Sequence, residues 1–142
     1  MIAATFSGNV EHFDILASNA EGIGYAVQVK TIRKGDWQLN ATRFLDIAQR
    51  GSKQSVRRKL PEPHPGLLCV FVRLGEANGA DEFFVLSWLD LQKIVARHYK
   101  ENLAKHGGIR PRNPESTHTA LSKLELAPFQ DAWHTFEKRK RP

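Results

Sequence analysis

The chain has 142 residues, of which 41% are hydrophobic and 25% charged, enough for a sizeable core and too few for two comfortable domains. Its single cysteine, Cys69, excludes an internal disulfide, and the six histidines are too scattered to build a zinc site with it. A net charge of +6 favours a polyanionic partner, and no apolar run approaches the ~20 residues of a membrane helix.

Residues 2–6 are expected to open the chain as a strand, and residues 13–17 form a second. Asn19, Ala20, Glu21 and Gly22 carry turn chemistry leading into a longer third strand over 23–32. Arg33, Lys34, Gly35 and Asp36 make the next turn. A short helix is expected over 42–49, with Thr42 as its N-cap and Gly51 as its stop. Pro61, Pro63 and Pro65 then predict a basic loop over 51–66. Residues 67–74 and 82–88 read as two paired strands, the first holding Cys69 as a buried small hydrophobe. The main helix is expected over 90–106, where Leu91, Ile94, Val95, Tyr99 and Leu103 recur near helical spacing, and Gly107 and Gly108 stop it. An irregular loop covers 109–119. A last helix over 128–138 starts on Pro128 and puts Phe129, Trp133 and Phe136 on one core stripe. This order predicts an α/β or α+β sheet with helical cover, as one domain over 1–137 with a basic tail at 138–142.

The third strand breaks the local rule. Tyr25, Val27 and Val29 alternate toward an apolar face, while Gly24, Ala26, Gln28 and Lys30 share the other. A strand that spends one face on small residues, an amide and an ammonium gives up packing there. If the second and third strands form a hairpin, Asp14 sits opposite Gln28. Phosphodiester hydrolysis needs a divalent ion, and Mg²⁺ takes oxygen ligands, often one or two carboxylates and several waters. Asp14 offers a carboxylate, Gln28 an amide oxygen and Val29 its backbone carbonyl. Lys30 would orient water and offset charge growing in the transition state.

Asp14 followed by Gln28-Val29-Lys30 resembles the metal-site signature of the PD-(D/E)XK nuclease superfamily, in its Gln-x-Lys variant. The stretch Phe13 to Asn19, with Thr31 and Trp37-Gln38-Leu39, is similar to small bacterial proteins of this type. The resemblance covers roughly residues 10–50. It implies a restriction-endonuclease-like mixed sheet flanked by helices, without the usual leading helix. It also implies Mg²⁺ or Mn²⁺ as cofactor, with Asp14, Gln28 and Val29 as ligands and Lys30 as a catalytic residue. Gln28 leaves one formal charge fewer than the Glu version, and Glu11, Glu21 and Asp36 are open as sources of a further acid.

Two functions follow as expectations. The first is metal-dependent hydrolysis of DNA by a cytoplasmic homodimer, with no membrane partner. The second is a catalytically inactive module of the same fold that binds nucleic acid or a protein. Arg57, Arg58 and Lys59, with Arg110 and Arg112, are candidate phosphate contacts. Trp37 is read two ways, as a base-stacking side chain or as core. Arg110 is also read two ways, as a phosphate contact or as a structural brace. A small-molecule enzyme has no support, because there is no Gly-rich phosphate loop and no Ser-His-Asp or Cys-His spacing.

Overall fold

A computed structural model describes residues 2–5, 12–77 and 79–137. In chain order the elements are β1 (Ile2–Thr5), β2 (Ile15–Ser18), β3 (Gly24–Ile32), β4 (Trp37–Asn40), β5 (Leu45–Arg50), β6 (Lys53–Lys59), β7 (Leu68–Arg73), β8 (Glu82–Ser87), α1 (Trp88–Lys105), β9 (His118–Leu121) and α2 (Lys123–Leu126). They group into two compact units. Unit 1 draws on Met1–Trp37, Glu62–Trp88 and Ser122–Pro142; unit 2 draws on Gln38–Pro61 and Leu89–Leu121.

Unit 1 is built on a five-stranded sheet ordered β1-β2-β3-β7-β8. β1, β2 and β3 run antiparallel in sequence, β3 and β7 are parallel, and β7 and β8 are antiparallel. The β2–β3 turn is held by Asn19, whose Oδ1 accepts from the Glu21 and Ile23 amides. One sheet face buries Ala17, Tyr25, Val27, Leu68, Val70, Val72 and Val85 with Ala132, and Phe136 packs against this group. The C-terminal stretch therefore covers that face. It also covers the β8 edge, where Phe84 bridges Gln130, the Asp131 amide donates to the Phe83 carbonyl, and Lys123 pairs with Glu82 at 2.7 Å.

In unit 2, β5 and β6 form a hairpin and β4 pairs with β9. α1 buries Leu91, Ile94, Val95, Ala96, Tyr99 and Leu103 along one side, the amphipathic pattern its spacing predicts. Gln92 is buried with them and donates through Nε2 to the carbonyls of Phe44 and Leu60, both at 2.7 Å. Among the described residues no helix is long and apolar enough to cross a membrane.

The strand pattern of unit 1 and the main helix follow the expected order, giving a mixed sheet with helices, an α+β arrangement. Three local expectations are corrected. The helix over 42–49 is a single 3₁₀ turn at Ala41–Arg43 followed by β5. The basic loop is strand β6 as far as Lys59; the prolines act only beyond it. The helix over 128–138 is replaced by α2, which starts on a Ser122–Glu125 capping box, and by 3₁₀ turns at Ala127–Phe129 and Trp133–Phe136. Asp131, with φ 51°, breaks any continuous helix between those turns. Trp133 is 46% exposed rather than core, resting on Phe83 with ring centroids 5.7 Å apart. Residues 138–142, the expected basic tail, lie outside the described residues.

Candidate functional site

The β2–β3 hairpin forms as its short connection predicts. Its register pairs Ile15 with Val27, and the Asp14 amide donates to the Val27 carbonyl at 2.8 Å. Asp14 itself lies just before β2, outside the paired register. The Asp14 carboxylate then reaches along β3, where Oδ2 accepts the Val29 amide at 2.8 Å. That bond fixes the side chain against the strand that carries Gln28 and Lys30, and it leaves Oδ1 for another partner. In a strand paired this way, the N–H and C=O of one residue point to the same side. The Val29 carbonyl is thus turned toward Asp14, while its side chain packs with the apolar cluster.

Gln28 and Lys30 are half-buried and share a sheet face with Ala26, the split that the alternation predicts. β7 adds a neighbour that sequence reading placed only as core. In the parallel β3–β7 register Gln28 pairs with Cys69 and Lys30 with Phe71, so all four lie on one face. Burial pushes the Cys69 thiol up to about 12; the Lys30 charge opposes that rise and the Asp14 charge adds to it. The thiol therefore stays protonated and forms an inert wall beside the pair of charges. The signal that could have found it is weak, since a parallel register is not legible in the sequence of either strand.

Of the further acids considered, Glu11 lies outside the described residues, while Glu21 and Asp36 sit exposed in turns. Among the described residues no group of three His, Cys, Asp or Glu side chains is placed to hold a metal. The oxygen donors at this part of β3 are the Asp14 carboxylate, held there by the Val29 amide, the Val29 carbonyl and the Gln28 side-chain amide. Such hard donors fit Mg²⁺ or Mn²⁺ completed by water and phosphate oxygens.

The remaining candidates divide. Trp37 is 1% exposed and packs edge-on against Phe71 and Phe84, with centroids 5.5 and 5.6 Å away. Its ring faces are spent in the core of unit 1, so the stacking expectation is corrected and the core reading holds. Arg110 is a brace within unit 2. It donates to Asn102 Oδ1 at 2.8 Å and to the His118 carbonyl, and its guanidinium lies 4.8 Å over the Tyr99 ring. Arg112 is exposed with φ 65°. Arg57, Arg58 and Lys59 are exposed on β6. Asp46 lies 3.9 Å from Arg57 and 3.3 Å from Arg58, and Arg57 is the extra residue of a register shift there.

The segment carrying Arg110 and Arg112 is stapled from below. Gln54, buried on β6, donates through Nε2 to the carbonyls of Pro114 and Ser116 and accepts from the Tyr99 hydroxyl. Burial raises the Tyr99 hydroxyl above its usual range, opposed by Arg110. The hydroxyl therefore remains a donor at neutral pH.

The fold is a mixed α/β one whose strand β3 carries Gln28 and Lys30 on one face, with the Asp14 carboxylate bound to its Val29 amide. Comparison with family models, with curated proteins and with solved structures finds no match for this chain.

Proposed function

We propose that the protein is a metal-dependent nuclease of restriction-endonuclease-like fold that hydrolyses DNA phosphodiester bonds as a cytoplasmic homodimer. The observation that carries the reading is the Asp14 carboxylate bound to the Val29 amide of the strand on which Gln28 and Lys30 share one face. Asp14, Gln28 and the Val29 carbonyl would hold Mg²⁺ or Mn²⁺. When bound, the ion supplies Lewis-acid polarisation of a phosphoryl oxygen and a more acidic water. Lys30 places a positive charge where the pentavalent phosphate gains negative charge, and its N–H groups orient water for attack. The Val29 amide keeps Asp14 aimed, so the carboxylate needs no reordering as substrate arrives. Arg57, Arg58, Lys59 and Arg112 are the candidate phosphate contacts that carry over from the sequence.

A second reading has one observation in its favour. Gln28 leaves the trio a single carboxylate, which suits a nuclease-fold module that binds nucleic acid or protein without cutting it.

A cleavage assay at low salt with Mg²⁺ and with Mn²⁺ separates the two. Linear, single-stranded and branched DNA are offered to the native chain, Asp14→Ala and Lys30→Ala. Metal-dependent cutting that falls at least about 10²-fold in both variants is expected, the usual scale for loss of a charge-stabilising group. DNA binding without cutting, unchanged by chelator and by Asp14→Ala, would establish the binding module instead.

A further inference from the structure

The positive charge of the chain is partitioned. Unit 2 holds twelve Lys and Arg against four Asp and Glu, a net +8, while the rest of the chain holds nine against eleven, a net −2. The sheet that carries Asp14, Gln28 and Lys30 thus belongs to the acidic part, and four carboxylates cannot neutralise the twelve cations of unit 2. A field of that sign concentrates polyanions at unit 2.

Within unit 2 part of that charge lies along the exposed side of α1. α1 turns its apolar side inward, and Lys93, Arg97 and Lys100 recur at positions three and four apart on the opposite, exposed side. That stripe runs into a cleft of about 330 Å³ lined by Lys100, Leu103 and Ala104 of α1, Gln54, Ser55 and Val56 of β6, and Gly108. The Gln54 amide donates to the Gly108 carbonyl at 2.7 Å, which ties the end of α1 to β6 and fixes the cleft width. Lys53, Lys59 and Arg50 are exposed on the same hairpin. The cleft floor is aliphatic and none of its seven lining residues has a ring, so it offers bases nothing to stack on. What it offers is the Ser55 hydroxyl and the Lys100 ammonium, with Arg97 one turn before on α1 and Lys53 next along β6, the groups that bind phosphate backbone.

We infer that the α1–β6 groove of unit 2, with Arg97 and Lys100 on its helix side and Lys53 and Lys59 on its hairpin side, is the docking surface for the phosphate backbone of duplex DNA. This rests on the reading of DNA as the protein's partner, but not on cleavage. Arg110, committed to Asn102, His118 and Tyr99, takes no part.

The test is fluorescence anisotropy with a labelled DNA duplex, in chelator, across a salt series. Arg97→Gln/Lys100→Gln and Lys53→Gln/Lys59→Gln are compared with Arg33→Gln/Lys34→Gln, which removes the same charge from the exposed turn after β3. Each groove pair is expected to weaken binding roughly tenfold to a hundredfold near about 0.1 M salt and to flatten the log–log salt slope by about two. Arg97→Lys/Lys100→Arg should retain native binding, which separates charge from folding, and the turn pair should stay within about twofold. Equal loss in the turn pair would mean a diffuse net-charge effect and would overturn the groove. So would tighter binding to single strands, or vesicles of anionic lipid bound as well as the duplex with the same residue dependence. Intact duplex binding with no cutting in any metal would defeat the nuclease reading alone.

Discussion

Asp14 and Cys69 show how single residues acquire meaning from their neighbours. Asp14 is exposed, yet its carboxylate is spoken for by a backbone amide fifteen residues away, which converts a surface acid into a fixed one. Cys69 lies on the same face across the next strand and is held neutral by burial. Two outcomes follow for the thiol. A soluble disulfide reagent at mild alkaline pH should leave native Cys69 unlabelled and label it fully in guanidinium. Burial pushes the folded thiol from its ordinary value of 9.0 up to about 12, so the unfolded chain loses this proton first. The stability this burial contributes is complete below about pH 9 and is lost as pH rises toward 12. Denaturant midpoints should therefore fall more steeply over that window in the native chain than in Cys69→Ala. Parallel slopes would mean that Cys69 is solvated in both states.

The β5–β6 hairpin differs from the helix and loop expected there, and the reason is one glycine. Gly51 is not a helix stop: with Ser52 it makes the two-residue connection between Arg50 and Lys53, at φ 58°. A positive φ at the first central position is the primed turn that matches strand twist. Leu45 and Ile47 then alternate with Asp46 and Ala48, a period of two that a helical reading ignores. Pro61, Pro63 and Pro65 were a correct signal applied too early, since β6 ends at Lys59. Gly51→Ala forces a side chain into the left-handed region and should cost ~1–2 kcal/mol in chemical denaturation. Gly51→Asn, which tolerates that region, should cost well under half as much. Equal losses would place the strain elsewhere in the hairpin.

Over the whole chain, the net charge of +6 divides into a basic unit and an acidic remainder. The clusters around Arg57 and Arg112 were visible as charge runs. Their membership of one unit with Arg97 and Lys100 was not, because unit 2 is assembled from stretches on either side of β7 and β8. The proposed homodimer rests on the needs of duplex cutting. The sheet does not need a partner to cover both its faces, since Ala132 and Phe136 complete the apolar cluster on one of them. Sedimentation at micromolar concentration should give twice the 16.1 kDa of one chain, and more so with duplex present. A single-chain mass with DNA bound would remove the dimer while leaving the groove intact.

The amino-acid order by itself determined the β2–β3 hairpin, the main helix and the face shared by Gln28 and Lys30. Each of these rests on local causes: turn residues, apolar period and the alternation of side chains along a strand. Tertiary structure alone decided that Asp14 binds the Val29 amide and that Cys69 walls the same face. It also decided that Trp37 is core, that Arg110 is a brace, and that Lys100 of α1 and Ser55 of β6 line one cleft. Those outcomes depend on parallel register and on pairing between distant stretches, and neither leaves a period or a turn signal in the sequence.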